Sequence, residues 1–309
     1  MTVTGPPQIP WPNGARVAAC VSFDIDADSI LHLDHRERAH RMVLAQSVLR
    51  YDRIAVRRIL KIFESFGIKQ TFFFPAWCME RFPDLVEEIV ESGHEIAHHG
   101  YIHESPNAQA SREDERYWLQ RGIDVIERMT GRRPRGWRAP NYDFSEHSTG
   151  LLIEEGFDYD ASLMGDDIPY ILQSPEGEIL ELPSNWAMDD WPQYAFLPEF
   201  ESFMPIRAPE DAARVFMAEF EAARRHGGLW IAVWHPYISG RLSRTDQMVL
   251  MLEQMMGTGD VWFAQLEEIA AHVMRCRAAG TYEPPVEEMP TYEGPLSSDA
   301  FTSRPDERR

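Results

Sequence analysis

Five apolar runs in this chain each end in polar residues of types that do chemistry. The first leads into Ser22-Phe23-Asp24-Ile25-Asp26-Ala27-Asp28. Carboxylates two apart on an extended chain point to one side, so Asp24 and Asp26 can share a pocket, one as a metal ligand and its neighbour as a general base. A second run opens into His98-His99-Gly100-Tyr101-Ile102-His103. Imidazoles four apart, His99 and His103, come onto one face when the chain coils after a strand. With Asp26 they make a three-ligand set that leaves positions for water, as a catalytic divalent ion requires. His98 faces the other way and reads as a packing group.

Three further runs add the remaining parts. One ends Trp137-Arg138-Ala139-Pro140, and an arginine there can hold and orient an ionised carboxylate. Another ends Pro183-Ser184-Asn185-Trp186, with Asp189 and Asp190 following. The last ends Val233-Trp234-His235-Pro236. A histidine at a strand terminus can be a general acid, and a nearby carboxylate, Asp189 or Asp190, can keep it protonated. Each piece alone has a plainer explanation: an acidic turn, a surface ion pair, a core histidine. Together they supply a base (Asp24), a metal triad (Asp26, His99, His103), an orienting arginine and an acid (His235), with Pro140, Tyr142 and Trp186 as candidate pocket walls.

The elements that must carry these groups are legible as alternating patterns. Apolar or β-branched runs at 17–23, 71–75, 95–97, 136–139, 159–162, 179–182, 229–234 and 261–264 read as buried strands. Amphipathic segments at 54–66, 85–92, 112–130 and 209–226 read as helices, each stopped by glycine. Strand–helix alternation predicts a mainly parallel α/β sheet, and the number of units favours a closed (β/α) barrel over an open doubly wound sheet. Active sites of such barrels lie where strands end and loops begin, the position of every group above. The expected organisation is an N-terminal arm at 1–13, a barrel at 14–280 with an insertion over its mouth at 29–52, and a Pro- and Glu-rich tail at 281–309, extended, disordered or laid on a neighbouring subunit.

Of the 309 residues, 44% are apolar and 26% charged, an ordinary globular balance, and the formal charge is -20. That charge argues against nucleic acid and anionic membranes as partners. No apolar stretch is long enough to span a bilayer. Met1–Pro12 lacks a basic segment followed by an apolar run, so a cytoplasmic location is expected. The three cysteines, Cys20, Cys78 and Cys276, are spaced as inert thiols, neither a disulfide framework nor a metal knuckle.

These motifs resemble the polysaccharide deacetylase family, whose shared unit is the NodB homology domain. Phe23-Asp24-Ile25-Asp26 resembles its first motif, His99-x-x-x-His103 its second, Arg138-Ala139-Pro140 its third and His235 its fifth. The fourth, Asp-x-x-Asp-Trp, is replaced by Asn185-Trp186 with Asp189 and Asp190. The interposed Ile25 and the phrase Gly93–Gly100 resemble a subgroup of peptidoglycan-deacetylase-like, allantoinase and cyclic-imide hydrolase relatives. The resemblance spans 14–274. It implies a single distorted (β/α) barrel and a hydrolase of non-peptide carbon–nitrogen bonds. It further implies one divalent ion, zinc first and cobalt, manganese or iron as alternatives, and a homo-oligomer. The expected activity is removal of an N-acetyl group from an amino sugar or small N-acyl compound. Ring opening of a cyclic ureide or imide is the alternative, and a non-catalytic carbohydrate-binding or scaffold protein the third reading. The resemblance also implies an oxyanion donor among the backbone N–H groups near Tyr142.

Overall fold

The computed structural model of the chain describes residues 9–292 and 294–295. Twelve strands form: β1 Val17–Asp24, β2 Thr71–Phe74, β3 Glu95–His98, β4 Gly136–Trp137, β5 Tyr159–Asp160, β6 Tyr170–Ser174, β7 Gly177–Glu181, β8 Phe196–Leu197, β9 Ser202–Phe203, β10 Leu229–Trp234, β11 Val261–Phe263 and β12 Val286–Glu288. Ten make one sheet in the order β10-β1-β2-β3-β4-β5-β7-β6-β12, with β11 also paired to β1, while β8 and β9 form a separate hairpin. Neighbours in the large sheet are parallel except β6 and β7.

Side-chain alternation builds two cores. Ala18 and Cys20 of β1, Phe73, Ala97, Tyr159, Ala161, Leu180, Leu182, Ile231 and Val233 meet inside the curved sheet. The alternate residues, among them Val21, Phe23, Phe72, Phe74, Trp230 and Trp234, pack outward against the helices. Continuing the inward set past the strand ends carries Ser22, Asp24, His99, Arg138 and His235 to one rim. The helix Pro209–His226 stops at Gly227, which takes a left-handed φ of 74°. The helix Arg112–Thr130 needs Gly122 for a different reason. A Cβ there would lie 2.1 Å from His98 Nε2, so the outward-facing His98 is seated against the bare helix backbone.

The parallel α/β expectation holds, but the hydrogen-bonded ladder does not close. Between β7 and β10 the wall is irregular chain. Val233 N–H donates to Met188 O (3.1 Å), Asp190 N–H to Val233 O (3.2 Å), and Ser184 Oγ–H to Ile231 O (2.9 Å). A regular strand there would direct alternate side chains outward. The looser segment instead turns two consecutive acids, Asp189 and Asp190, toward the rim. The β6–β7 hairpin and β12 interrupt simple strand–helix alternation, because a tight Pro175-Glu176 turn returns the chain antiparallel. The stretch expected as a tail contributes β12 and a buried Tyr282, whose hydroxyl donates to Pro169 O. Residues 293 and 296–309 of that tail, and residues 1–8 of the N-terminal arm, lie outside the described residues. The insertion supplies Ser29–Asp34 and Val43–Leu49 as helices, and the His35 Nε2 pairs with Glu199 O at 2.9 Å. No described helix is long and apolar enough to cross a membrane.

Candidate active site

A cavity of about 150 Å³ opens at the rim, and Asp24, Asp26, His99, His103, Arg138, Tyr142, Trp186, Asp189 and His235 all line it. Asp24 ends β1, and Asp26 follows after one residue whose side chain goes to the outer core. Asp24 Oδ1 accepts from Arg138 Nη1 at 2.6 Å. Arg138 is wholly buried. It also donates to Ser22 Oγ (3.1 Å) and, through Nε, to Ala161 O (3.0 Å), with its guanidinium 3.9 Å from the Phe73 ring centre. A guanidinium fastened on three sides cannot swing away, so it fixes one oxygen of Asp24 and leaves the other facing the cavity.

Asp26 is surrounded by imidazoles. Its Oδ1 lies 3.4 Å from His99 Nε2 and 3.7 Å from His103 Nε2, and its Oδ2 lies 3.4 Å from His235 Nε2. The His99 Nδ1 pairs with Arg138 O at 2.8 Å, which sets the tautomer and frees Nε2 as a lone-pair donor. Burial pushes His103 down to about 4, with Asp26 opposing, so that ring is neutral. Burial also works against a charged His99, but Asp24 and Asp26 outweigh it and raise its value. Asp26 Oδ1 is buried and accepts no hydrogen bond. One ligand atom from each of Asp26, His99 and His103 falls within 4.8 Å of the others. An orphaned carboxylate oxygen facing two imidazole nitrogens is the donor set that a divalent cation satisfies, and these residues fit one.

The acid side of the site is equally well defined. His235 Nδ1 is 2.7 Å from Asp190 Oδ1, and Asp190 Oδ2 accepts from the His235 N–H (2.9 Å) and Ser239 Oγ–H (2.6 Å). Burial opposes charge on His235, but Asp190, then Asp26 and Asp189, raise its value well above the ordinary imidazole range. Asp190 is thus the partner of His235. Asp189 instead accepts from Tyr142 Oη–H (2.6 Å) and Trp191 N–H (2.7 Å), and burial pushes it up to about 6.

One expectation for the wall is corrected, and another is narrowed to a single residue. Pro140 does not line this cavity. It packs toward Gly100, where a Cβ would meet its Cγ at 3.1 Å, and it serves to turn the chain. The Tyr142 N–H is spent on Ala139 O at 3.0 Å, closing a tight turn. Its neighbour Asn141 lines the cavity, and among the described residues the Asn141 N–H has no intramolecular partner. Asn141 and Tyr142 both adopt left-handed backbone, at φ 57° and 55°, a conformation of non-glycine residues that costs of order 1–3 kcal/mol each and persists only where surrounding contacts impose it. The Tyr142–Asp189 hydrogen bond is such a contact.

Residue types alone did not single out Asn141, Ile30 or Asp52. Ile30, from the insertion, covers one side of the cavity. Asp52, wholly buried at the end of that insertion, accepts from the Ala27 N–H at 3.1 Å. Ala27 has a φ of 46° between Asp26 and Asp28. A strained alanine between acids, with a distant acid closing an insertion, is visible only once the chain is folded.

A parallel α/β sheet bearing a carboxylate–imidazole cluster at its strand ends defines a hydrolase type of architecture. This chain belongs to the polysaccharide deacetylase family. The model of that family, described as polysaccharide deacetylase, matches residues 48–159. A Mycobacterium smegmatis protein of the polysaccharide deacetylase type is 38% identical, with a TM-score of 0.85, over 93% of this chain and 99% of its own. The peptidoglycan deacetylase of Helicobacter pylori is 29% identical over 227 residues, 66% of this chain and 76% of its own. The structure of Puue allantoinase matches at a TM-score of 0.76 and 24% identity over 91% of this chain and 96% of that one, a likeness of fold. Membership of this family makes the chain a hydrolase of carbon–nitrogen bonds.

Proposed function

We propose that this protein removes an N-acyl group, acetyl by preference, from an amino sugar or a small N-acyl compound, using one divalent ion held by Asp26, His99 and His103. The observation that carries the reading is the opposition, across one 150 Å³ cavity, of an arginine-held carboxylate, Asp24, and an aspartate-held imidazole, His235. Such an ion would polarise the scissile carbonyl and lower the pKa of attacking water.

The protein's own groups do the rest. Asp24 takes the proton of the attacking water through its free oxygen, while Arg138 holds the other oxygen and aims the carboxylate. The unpartnered Asn141 N–H is the backbone donor on this wall for the oxyanion that develops on the acyl oxygen. His235, protonated and held by Asp190, delivers a proton from Nε2 to the departing nitrogen, so that an amine leaves. Trp186, 55% exposed and edge-on to Tyr142 at 4.9 Å, presents an aromatic face at the mouth against which a ring can stack.

A second reading rests on size. Ile30 and Trp191 narrow the cavity to a volume closer to one small ring than to a polymer, which favours a cyclic ureide or imide. Purified metal-loaded protein should be assayed for acetate release from N-acetylglucosamine oligomers and small N-acyl compounds, and for ring opening of allantoin and succinimide. Acetate release supports the first reading. Ring opening alone replaces it with the second. Ligand binding without turnover of any of these substrates defeats both.

A further inference from the structure

Asp160 and Glu181 lie outside the cavity, and none of the steps above uses them. They are register partners on β5 and β7, both wholly buried. Their side chains are on the outer face of the sheet, because Tyr159, Ala161, Leu180 and Leu182 take the inner positions. Asp160 Oδ2 and Glu181 Oε2 are both buried, and among the described residues neither has a hydrogen-bond donor. Two carboxylates are acceptors only, so one member carries a proton. Asp160 Oδ1 accepts from the Ala161 N–H (2.8 Å) and the Ser162 Oγ–H (2.5 Å), whereas Glu181 Oε1 accepts only from the Leu163 N–H (3.1 Å). The better-donated Asp160 is the anion, and Glu181 is the acid.

This pair pins the segment Ala161–Leu163 at both ends, and that segment seats Arg138. Ala161 O accepts from Arg138 Nε at 3.0 Å, and Ser162 Oγ accepts from the Ala139 N–H at 2.8 Å. Arg138 in turn holds Asp24 through its side chain and His99 through its carbonyl. We propose that Asp160 and Glu181 act as a positioning pair, sharing one proton, that sets the Arg138 seat and through it the aim of Asp24 and His99.

Burial, then the neighbouring Asp160, drives Glu181 well above the ordinary carboxyl range, with Arg138 opposing. The other titratable group facing the pair is the Tyr170 phenol of β6, with Glu287 of β12 beyond it. Loss of the shared proton at alkaline pH therefore leaves two neighbouring anions and loosens the seat.

The kinetic part of the test rests on the hydrolase reading, so two other readouts are included. Infrared spectra of the full chain should show a protonated carboxyl at neutral pH that disappears in Glu181→Gln and survives in Asp190→Asn. Exchange of the Ala139 amide should be faster in Glu181→Ala than in Glu181→Gln. With increasing pH it should rise beyond ordinary base catalysis in the native protein but not in Glu181→Gln. With whichever substrate the protein turns over, and at saturating metal, Glu181→Ala should lose on the order of tenfold or more in kcat with KM unchanged, since small misplacement of a catalytic group is costly. Glu181→Gln should restore that loss. An unchanged infrared signal in Glu181→Gln overturns the shared proton. Native Ala139 exchange in Glu181→Ala, or in the native protein across the alkaline range if that variant does not fold, overturns the positioning role. If the wild type hydrolyses nothing, the hydrolase reading fails while these two measurements still decide the pair.

Discussion

His235 and Asp190 are joined twice, through the imidazole Nδ1 at 2.7 Å and through the backbone N–H at 2.9 Å, so one carboxylate sets both the charge and the orientation of the ring. Asp190→Asn removes the largest favourable neighbour of the imidazolium. We expect kcat to fall on the order of a hundredfold, the scale of general acid catalysis, measured by steady-state kinetics. The sign of the pH effect follows. The acid must be protonated, and Asp190 raises the pH at which His235 loses its charge. The alkaline limb of the kcat profile should therefore move to lower pH in the variant. A raised histidine value also stabilises the fold, fully below its unfolded value near about 6.5, and this contribution fades as pH rises through the folded value. The stability deficit of Asp190→Asn in urea should accordingly shrink toward alkaline pH.

His103→Ala takes one of three donors from the Asp26 cluster. Metal bound after dialysis, read by elemental analysis, should fall to background, and turnover with it. An ion at a thousand times its Kd stabilises a folded protein by about 4 kcal/mol. Added zinc should therefore raise the Tm of the wild type and leave that of the variant unmoved. Full activity in the variant, or in chelated wild type, would remove the metal from the mechanism.

Asp52 closes the insertion by accepting the N–H of Ala27, the strained residue beside Asp26. Asp52→Ala leaves that buried N–H without a partner, which costs about 1–3 kcal/mol, so the urea midpoint should drop. Asp52→Asn keeps a carbonyl oxygen in place, and a clearly smaller loss is expected. Equal losses in the two variants would show that the contact does not hold the loop.

Trp186 stands at the mouth with half its surface in solvent. Trp186→Ala should raise KM several-fold and leave kcat near native, because a stacking surface met equally by substrate and transition state contributes uniform binding. A large fall in kcat with KM unchanged would place Trp186 in the chemistry instead.

How much of this was legible before folding can be judged residue by residue. Asp24, Asp26, His99, Arg138 and His235 announce themselves because period-2 alternation in a buried strand continues into the residue past its end. An apolar run such as Leu229–Trp234 therefore predicts the inward direction of His235. The helices and their glycine stops were readable for a similar local reason: capping needs only neighbouring residues. The partner of His235 was not readable. Asp189 and Asp190 are equal in sequence, and only the two hydrogen bonds that Val233 makes across the open seam rotate Asp190 toward the imidazole and Asp189 toward Tyr142.

The sequence by itself determined the kinds of chemistry available, the strand ends that carry them and the parallel α/β class, because those depend on residue type and short-range periodicity. Tertiary structure alone decided that the ladder stays open between β7 and β10, that Asn141 rather than Tyr142 leaves its N–H free, and that Pro140 turns away from the cavity. It also decided that Asp52 reaches Ala27 and that Asp160 meets Glu181. Each of these is a contact between segments remote along the chain, made where backbone groups left without local partners had to find distant ones.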